Sequence, residues 1–313
     1  MNSVRSTLVG LTTLTLTVAG TSSATANPTP HPTSYTVSTT PGEHLEGIEV
    51  THDGTIYVTS VATGAIYRGS TRSSQLRPWS PAGAGGRTSA TGVHVDRWGR
   101  VLVAGASTGT FFVYDRTGRL LQTRHVPLAG DSFLNDFAFT HDAVYITDSA
   151  SGTVYRASLS ASGVGPLVPV VRADDFTPKA SFINGIAVTP DQQHLIVSDW
   201  GVDVTHRVDL STHHVSPVRI AGGEALGADG LLLRGHTAYA VQTDWTRERT
   251  WVRTVRFDAT FTTAKVVNDS PEVGFDQSPT TIARDRGRLL WVNSQLNAAV
   301  SRPPFTVSEV PAS

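Results

Sequence analysis

The sequence predicts an all-β chain, a six-bladed β-propeller with four-stranded antiparallel blades around a central tunnel. Three observations carry this. A short motif recurs about 45 residues apart, the period of a propeller blade. Each copy is followed by a polar turn and a β-branched or aromatic run, which is the chemistry of a hairpin. No segment holds a long 3.6-residue apolar period, so helices have no place in the core.

The motif copies are Leu45-Glu46-Gly47-Ile48, Ala90-Thr91-Gly92-Val93, Leu134-Asn135-Asp136-Phe137, Ile183-Asn184-Gly185-Ile186 and Ala228-Asp229-Gly230-Leu231, with a weaker sixth at Thr280-Thr281-Ile282. Turns follow at His52-Asp53-Gly54, Arg97-Trp98-Gly99, His141-Asp142, Pro190-Asp191-Gln192, Arg234-Gly235-His236 and Asp285-Arg286-Gly287. Runs such as Ile56-Tyr57-Val58, Val101-Leu102-Val103 and Leu195-Ile196-Val197 supply the second strands. Third strands are visible at Ala65-Ile66-Tyr67, Phe111-Phe112-Val113 and Thr153-Val154-Tyr155. Closing six such meanders into a ring leaves few exposed sheet edges. The ring is expected to close by pairing Ser34 to Ser38 with the last blade beside Phe305 to Ser308.

The 313 residues exceed a usual domain, but propellers of this size fold as one unit. The expected organisation is a signal peptide over residues 1–26, a disordered Pro- and Thr-rich lead over 27–33, and one propeller over 34–313. Arg5, the apolar stretch from Leu8 to Ala19 and the small residues Ala24-Thr25-Ala26 carry the export reading. A secreted, extracytoplasmic protein follows, with no membrane association after cleavage. The formal net charge of −1 gives no basic surface for nucleic acid. The absence of cysteine removes disulfides, thiolate catalysis and cysteine zinc sites.

Inner strands line the tunnel, so the residue that opens each repeat stands near one mouth: Glu46, Thr91, Asn135, Asn184, Asp229 and Thr280 or Thr281. Two carboxylates and two amide oxygens from separate blades suit a hard divalent cation. Carboxylates converging on one axis also repel each other unless a cation balances them. Asn or Asp before Gly equally suits a turn, which leaves a purely structural reading open.

These motifs resemble the senescence-marker-protein/gluconolactonase superfamily of calcium-dependent six-bladed propellers, which includes sugar lactonases and paraoxonase-like arylesterases. Leu45-Glu46-Gly47 is similar to the first-blade ligand motif and Leu134-Asn135-Asp136 to the Asn-Asp ligand motif. Ile183-Asn184-Gly185 through Thr189-Pro190-Asp191 resembles the Asn-Gly signature, and Ala228-Asp229-Gly230 the motif whose Asp is ligand and base. The resemblance implies Glu46, Asn135, Asn184 and Asp229 as metal ligands, Ca2+ as the cofactor, and Asp229 or a metal-bound water as catalytic base. The implied activity is hydrolysis of a small lactone or ester. The alternative is a non-catalytic binding propeller with a structural tunnel metal.

Two departures bear on substrate. The gluconolactonase branch carries an Arg shortly before the Asn-Asp motif, where this chain reads Asp131-Ser132-Phe133-Leu134, and the paraoxonase-like His-His dyad has no counterpart. Phe133, Phe182 and Trp200 favour an apolar pocket, and Thr91, His94 and Thr281 complete the candidate lining. Gly105-Ala106-Ser107-Thr108-Gly109 has the Gly-x-Ser-x-Gly spacing but joins two β runs with no helix after it, so it lacks the strand-turn-helix context that a serine-hydrolase nucleophile needs. His52, His141, His194 and His236 recur in or beside turns and read as solvated, and Asp148 and Asp199 occupy equivalent blade positions, which reads as a turn role.

Overall fold

A computed structural model describes Met1, residues 31–127 and residues 130–312. The expected signal peptide beyond Met1, and residues 27–30 of the expected lead, lie outside the described residues. Residues 31–33 are tied to the propeller: the His31 ring bonds the Thr71 carbonyl at 2.9 Å, and the Glu309 amide donates to the Thr33 carbonyl at 2.7 Å.

Six sheets form the ring. Each meander runs outward from an inner strand: Leu45–Val50, Val93–Val95, Leu134–Phe139, Ile183–Val188, Leu231–Arg234 and Pro279–Asp285 for blades one to six. Blades one, two, four and six have four strands; blade three adds Gly163–Val164, and blade five adds Arg219–Ile220 and Val273–Gly274. Arg219–Ile220 pairs in parallel with Thr263–Asp269, the one departure from antiparallel pairing within the named sheets of the described residues. The only helical pieces among the described residues are the 3-10 turns Ala84–Gly86 and Ala173–Asp175. None of the described helices is long and apolar enough to cross a membrane.

The ring closes as the sequence predicts. Ser34–Ser38 pairs antiparallel with Phe305–Glu309, Tyr35 opposite Val307, and so completes blade six from the other end of the chain. Tyr35, Val37, Phe305 and Val307 are buried in one cluster with Leu45 and Ile48 of blade one. The core is a series of such clusters wedged between sheets, because alternating inward residues of each twisted sheet need an apolar partner on the next.

The motif glycines have a packing reason rather than a turn reason. A Cβ on Gly47 would run into the Thr91 carbonyl oxygen; on Gly92, Gly185 and Gly230 it would meet the carbonyl oxygens of Asn135, Asp229 and Thr280 at 2.7, 2.8 and 2.7 Å. In each case the obstacle is the residue that opens the next repeat. Glycine therefore lets successive inner strands approach closely around the axis. Hydroxyls clasp the same junctions: Thr91 Oγ1 donates to the Leu134 carbonyl at 2.7 Å, Thr147 Oγ1 to that of Asn184 at 2.7 Å and Thr280 Oγ1 to that of Glu46 at 3.0 Å. The turn reading of Asn-Gly and Asp-Gly is thereby replaced at Gly185 and Gly230.

Two of the four turn histidines are not solvated. His52 and His141 are exposed, but His194 lies inside the second strand of blade four, 8% exposed, with its ring against Arg207 and flanked by Asp191 and Asp209. His236 stacks on Phe261 with ring centroids 4.7 Å apart, and its Nδ1 bonds the Asp258 carbonyl. The polar turn places both at the start of a second strand, where side chains of the same blade cover them: Arg207 and Asp209 over His194, Phe261 over His236.

Candidate metal and substrate site at the tunnel mouth

The close junctions bring the repeat-opening residues into one ring at the end of the tunnel where the inner strands begin. Asn184 Nδ2 donates to Asp229 Oδ1 at 2.7 Å, joining blade four to blade five. Asn135 Nδ2 donates to Ser149 Oγ at 3.0 Å, and that hydroxyl donates to the Ile183 carbonyl at 2.6 Å, joining three to four. Both amides thus use their N–H groups on protein, and no hydrogen bond occupies either carbonyl oxygen among the described residues. Amide oxygens left in this way are ligands for a hard cation.

Glu46 is 6% exposed, and its Oε2 is buried without a hydrogen-bond partner. Burial pushes the Glu46 carboxyl well above the usual range, with the Asp229 and Asp136 charges adding to the rise against a hydrogen bond from Thr280. Burial likewise lifts Asp229 to about 7, the Asn184 amide pulling it down and the Asp136 charge pushing it up. The two opening carboxyls, Glu46 and Asp229, therefore need either protons or a cation at neutral pH. The donor set fits a cation, since an orphaned carboxylate oxygen and two free amide carbonyls are what a hard ion replaces water with. Among the described residues no three His, Asp or Glu side chains gather tightly enough to cage an ion by themselves. Holding one takes the amide oxygens as well.

Below this ring sits a second charged group that the sequence only half disclosed. His94 bridges two carboxylates, Nδ1 to Glu49 Oε2 at 2.9 Å and Nε2 to Asp136 Oδ1 at 3.1 Å. Its ring stands edge-on to Phe137 with centroids 4.8 Å apart. Burial alone would lower its pKa, but the Asp136 and Glu49 hydrogen bonds and charges outweigh that and raise it to about 10. His94 is therefore an imidazolium between two carboxylates rather than a free pocket residue. Asp136 and Glu49 went unnamed as tunnel groups in the sequence reading; the signal was there, because Asp136 stands where other copies carry Gly and Glu49 lies three residues beyond Glu46 on an inner strand.

The remaining candidates divide. Thr91 is fully buried and its hydroxyl is spent on the Leu134 and Ala104 carbonyls, so it offers a ligand nothing. Thr281 is half-buried beside Gly230. Phe133 and Phe182 are half-buried neighbours with centroids 6.1 Å apart, each two residues before a candidate ligand, Asn135 and Asn184. The buried carboxylate of Asp148 accepts the Phe133 amide and Ser132 hydroxyl at 2.8 Å each, and that of Asp199 accepts the Ser181 and Phe182 amides at 2.9 Å each. The turn role read from their equivalent positions holds: each fixes the segment that leads into an inner strand.

No family model matches the chain, and no curated protein matches it. Solved structures do match in shape. The calcium-binding protein regucalcin of Agrobacterium tumefaciens has a TM-score of 0.61 at 17% identity, over 91% of this chain and 96% of that one. A protein assigned as a gluconolactonase gives 0.60 at 16%, over 87% and 91%. Virginiamycin B lyase of Staphylococcus aureus gives 0.56 at 11%, over 88% and 97%. At these identities the likeness bears on the class of fold alone: this chain is a six-bladed β-propeller, similar in shape to a gluconolactonase-type protein, a calcium-binding protein and a lyase.

Proposed function

We propose that this propeller is an exported, divalent-metal-dependent hydrolase acting on a small lactone or ester at the tunnel mouth. The observation that carries the reading is the buried, unpartnered Oε2 of Glu46 in the same ring as Asp229, whose carboxyl is lifted to about 7. Glu46 and Asp229, with the free amide oxygens of Asn135 and Asn184, would hold the cation, with Ca2+ the best fit to an all-oxygen set. When bound, the ion would supply Lewis-acid polarisation of the substrate carbonyl.

The chain's own residues do the rest. With the cation in place Asp229 would be ionised, and as a carboxylate it takes the proton of the attacking water. Asn184 holds Asp229 through its Nδ2 and fixes which carboxylate oxygen stays free. The Glu49–His94–Asp136 bridge anchors Asp136 beside the ring and limits how far its charge reaches the mouth. The solved structures support a propeller able to carry such sites, and the chemistry rests on the residues named here.

One observation favours a second reading, a binding propeller with a structural metal. The same Asn184–Asp229 bond that would position a base also joins two blades, so an ion there would staple the ring. Assays of aliphatic lactones and aryl esters with and without chelator separate the two. For the hydrolase, Asp229→Asn loses about 10²–10⁴-fold in kcat/KM and chelation stops turnover. Absence of turnover across the whole panel in metal-loaded protein would leave only the binding module.

A further inference from the structure

The mouth carries an aromatic arc that the chemistry above does not use. Phe133 contacts Phe182 with centroids 6.1 Å apart, Phe182 contacts Trp200 at 5.6 Å, Trp200 contacts Trp245 at 5.1 Å and Trp245 contacts Phe275 at 5.2 Å. The five rings come from the lead-in of blade three, the lead-in and second-strand turn of blade four, the second-strand turn of blade five and the lead-in of blade six. None is buried, and Trp245 is 51% exposed. Inner strands begin and second strands end on one face, so these turns all lie on the face where Glu46, Asn135, Asn184 and Asp229 are gathered. Phe133 and Phe182 stand two residues from Asn135 and Asn184, roughly 7 Å along an extended chain.

Three features separate this arc from ordinary packing. Large aromatics from separate loops left half open to water are costly unless something covers them. Two buried carboxylates, Asp148 and Asp199, are committed to holding the loops: Asp199 alone accepts the Phe182 and Gly201 amides, which flank Trp200. Neither the Trp200 nor the Trp245 indole N–H has a protein acceptor among the described residues, so both remain available to a ligand. The rings themselves offer only these two donors, and the charged side chains beside the arc, Arg249 and Asp276, stand at its Phe275 end. A flat or chain-like apolar group fits the ring faces between Phe133 and Trp245.

We infer that the arc from Phe133 to Phe275 is the substrate subsite, and that it takes the apolar, ring-bearing or long acyl part of an ester or lactone whose carbonyl lies over the polar ring. This rests on the reading of the tunnel mouth as the reaction site, yet binding can be tested apart from turnover. The probes are an aryl-substituted five-membered lactam, the non-hydrolysable analogue of an aryl lactone, and the unsubstituted lactam, titrated calorimetrically into calcium-loaded full-length protein. The wild type should bind the aryl lactam at least about tenfold more tightly. Trp245→Ala, an exposed change that leaves the fold intact, should erase most of that preference, and Trp245→Phe should restore part of it. Equal affinity for the two lactams, or a preference unchanged in Trp245→Ala, would overturn the subsite. Aryl preference without hydrolysis of the matching aryl lactone would leave the subsite standing and remove the hydrolase reading.

Discussion

Asn184 Nδ2 donates to Asp229 Oδ1 at 2.7 Å across the junction of blades four and five, so the two residues that open consecutive repeats touch. That contact is possible because Gly185 has no Cβ to strike the Asp229 carbonyl, 2.8 Å from where one would sit. Site and scaffold therefore share atoms, and each can be probed through the other.

The junction glycines should be intolerant. Gly47→Ala or Gly185→Ala should cost about 1–3 kcal/mol, as an overpacked contact with backbone that cannot give way. Gly287→Ala is the control, since nothing lies within 4 Å of a Cβ there, and it should be neutral within about 0.5 kcal/mol. Denaturant midpoints for the three variants decide the matter; equal midpoints would remove the close-approach explanation.

Ring closure makes a matching demand. Removing residues 31–40 deletes the strand Ser34–Ser38 and exposes Phe305 and Val307, which are fully buried against it. Tyr35 and Val37 together bury enough apolar surface to contribute on the order of 3–5 kcal/mol. The truncated chain should melt far below the full chain, or without cooperativity. An unchanged melting temperature would show that blade six is complete without its N-terminal strand.

The raised carboxyls give the metal-free protein a pH dependence of unusual sign. Asp229 titrates near 7 in the fold, against about 3.9 unfolded. Between those values the folded state binds the extra proton, so stability falls as pH rises through 7 and levels off above it. Glu46 acts in the same direction. Chelated protein should therefore lose on the order of a few kcal/mol between pH 5 and 7.5, and calcium, which favours the ionised pair, should flatten that slope. Melting temperatures in this window, with and without calcium, measure it.

His94 titrates in a separate window. Its folded pKa, raised to about 10 by Asp136 and Glu49 against the cost of burial, stabilises the fold fully below pH ~6.5. That contribution is lost as pH rises through 10. His94→Gln should cost about 1–3 kcal/mol at pH 7, allowing for the partial exposure of the bridge. The difference from wild type should vanish above pH 10.5. A constant difference across the range would mean that the ring matters for packing on Phe137 alone.

The propeller was legible because its evidence is periodic: turn residues, β-branched runs and a motif every blade repeat themselves, and each copy checks the others. The meeting of Asn184 with Asp229 was legible for the same reason, since both open a repeat in the same register. What periodicity could not disclose is where one copy breaks the rule. Asp136 replaces a junction glycine, and its carboxylate pairs with a histidine from the neighbouring blade. His194 sits beside a turn by sequence and in a packed strand by structure, because its burial depends on Arg207 and Asp209 of the paired third strand and not on the local pattern. Thr91 failed as pocket lining since a hydroxyl at a blade junction is needed by the next backbone. The aromatic arc was half visible: Phe133, Phe182 and Trp200 were in view, whereas Trp245 and Phe275 join only when the ring is closed.

The central claim is that a cation completes the ring of Glu46, Asn135, Asn184 and Asp229, and calcium titration calorimetry tests it most directly. Chelator-stripped wild-type protein should bind one calcium per chain at pH 7.5 with proton release, and the Glu46→Gln, Asp229→Asn double variant should bind none while remaining folded. No binding by the wild type, or undiminished binding by the double variant, would contradict it.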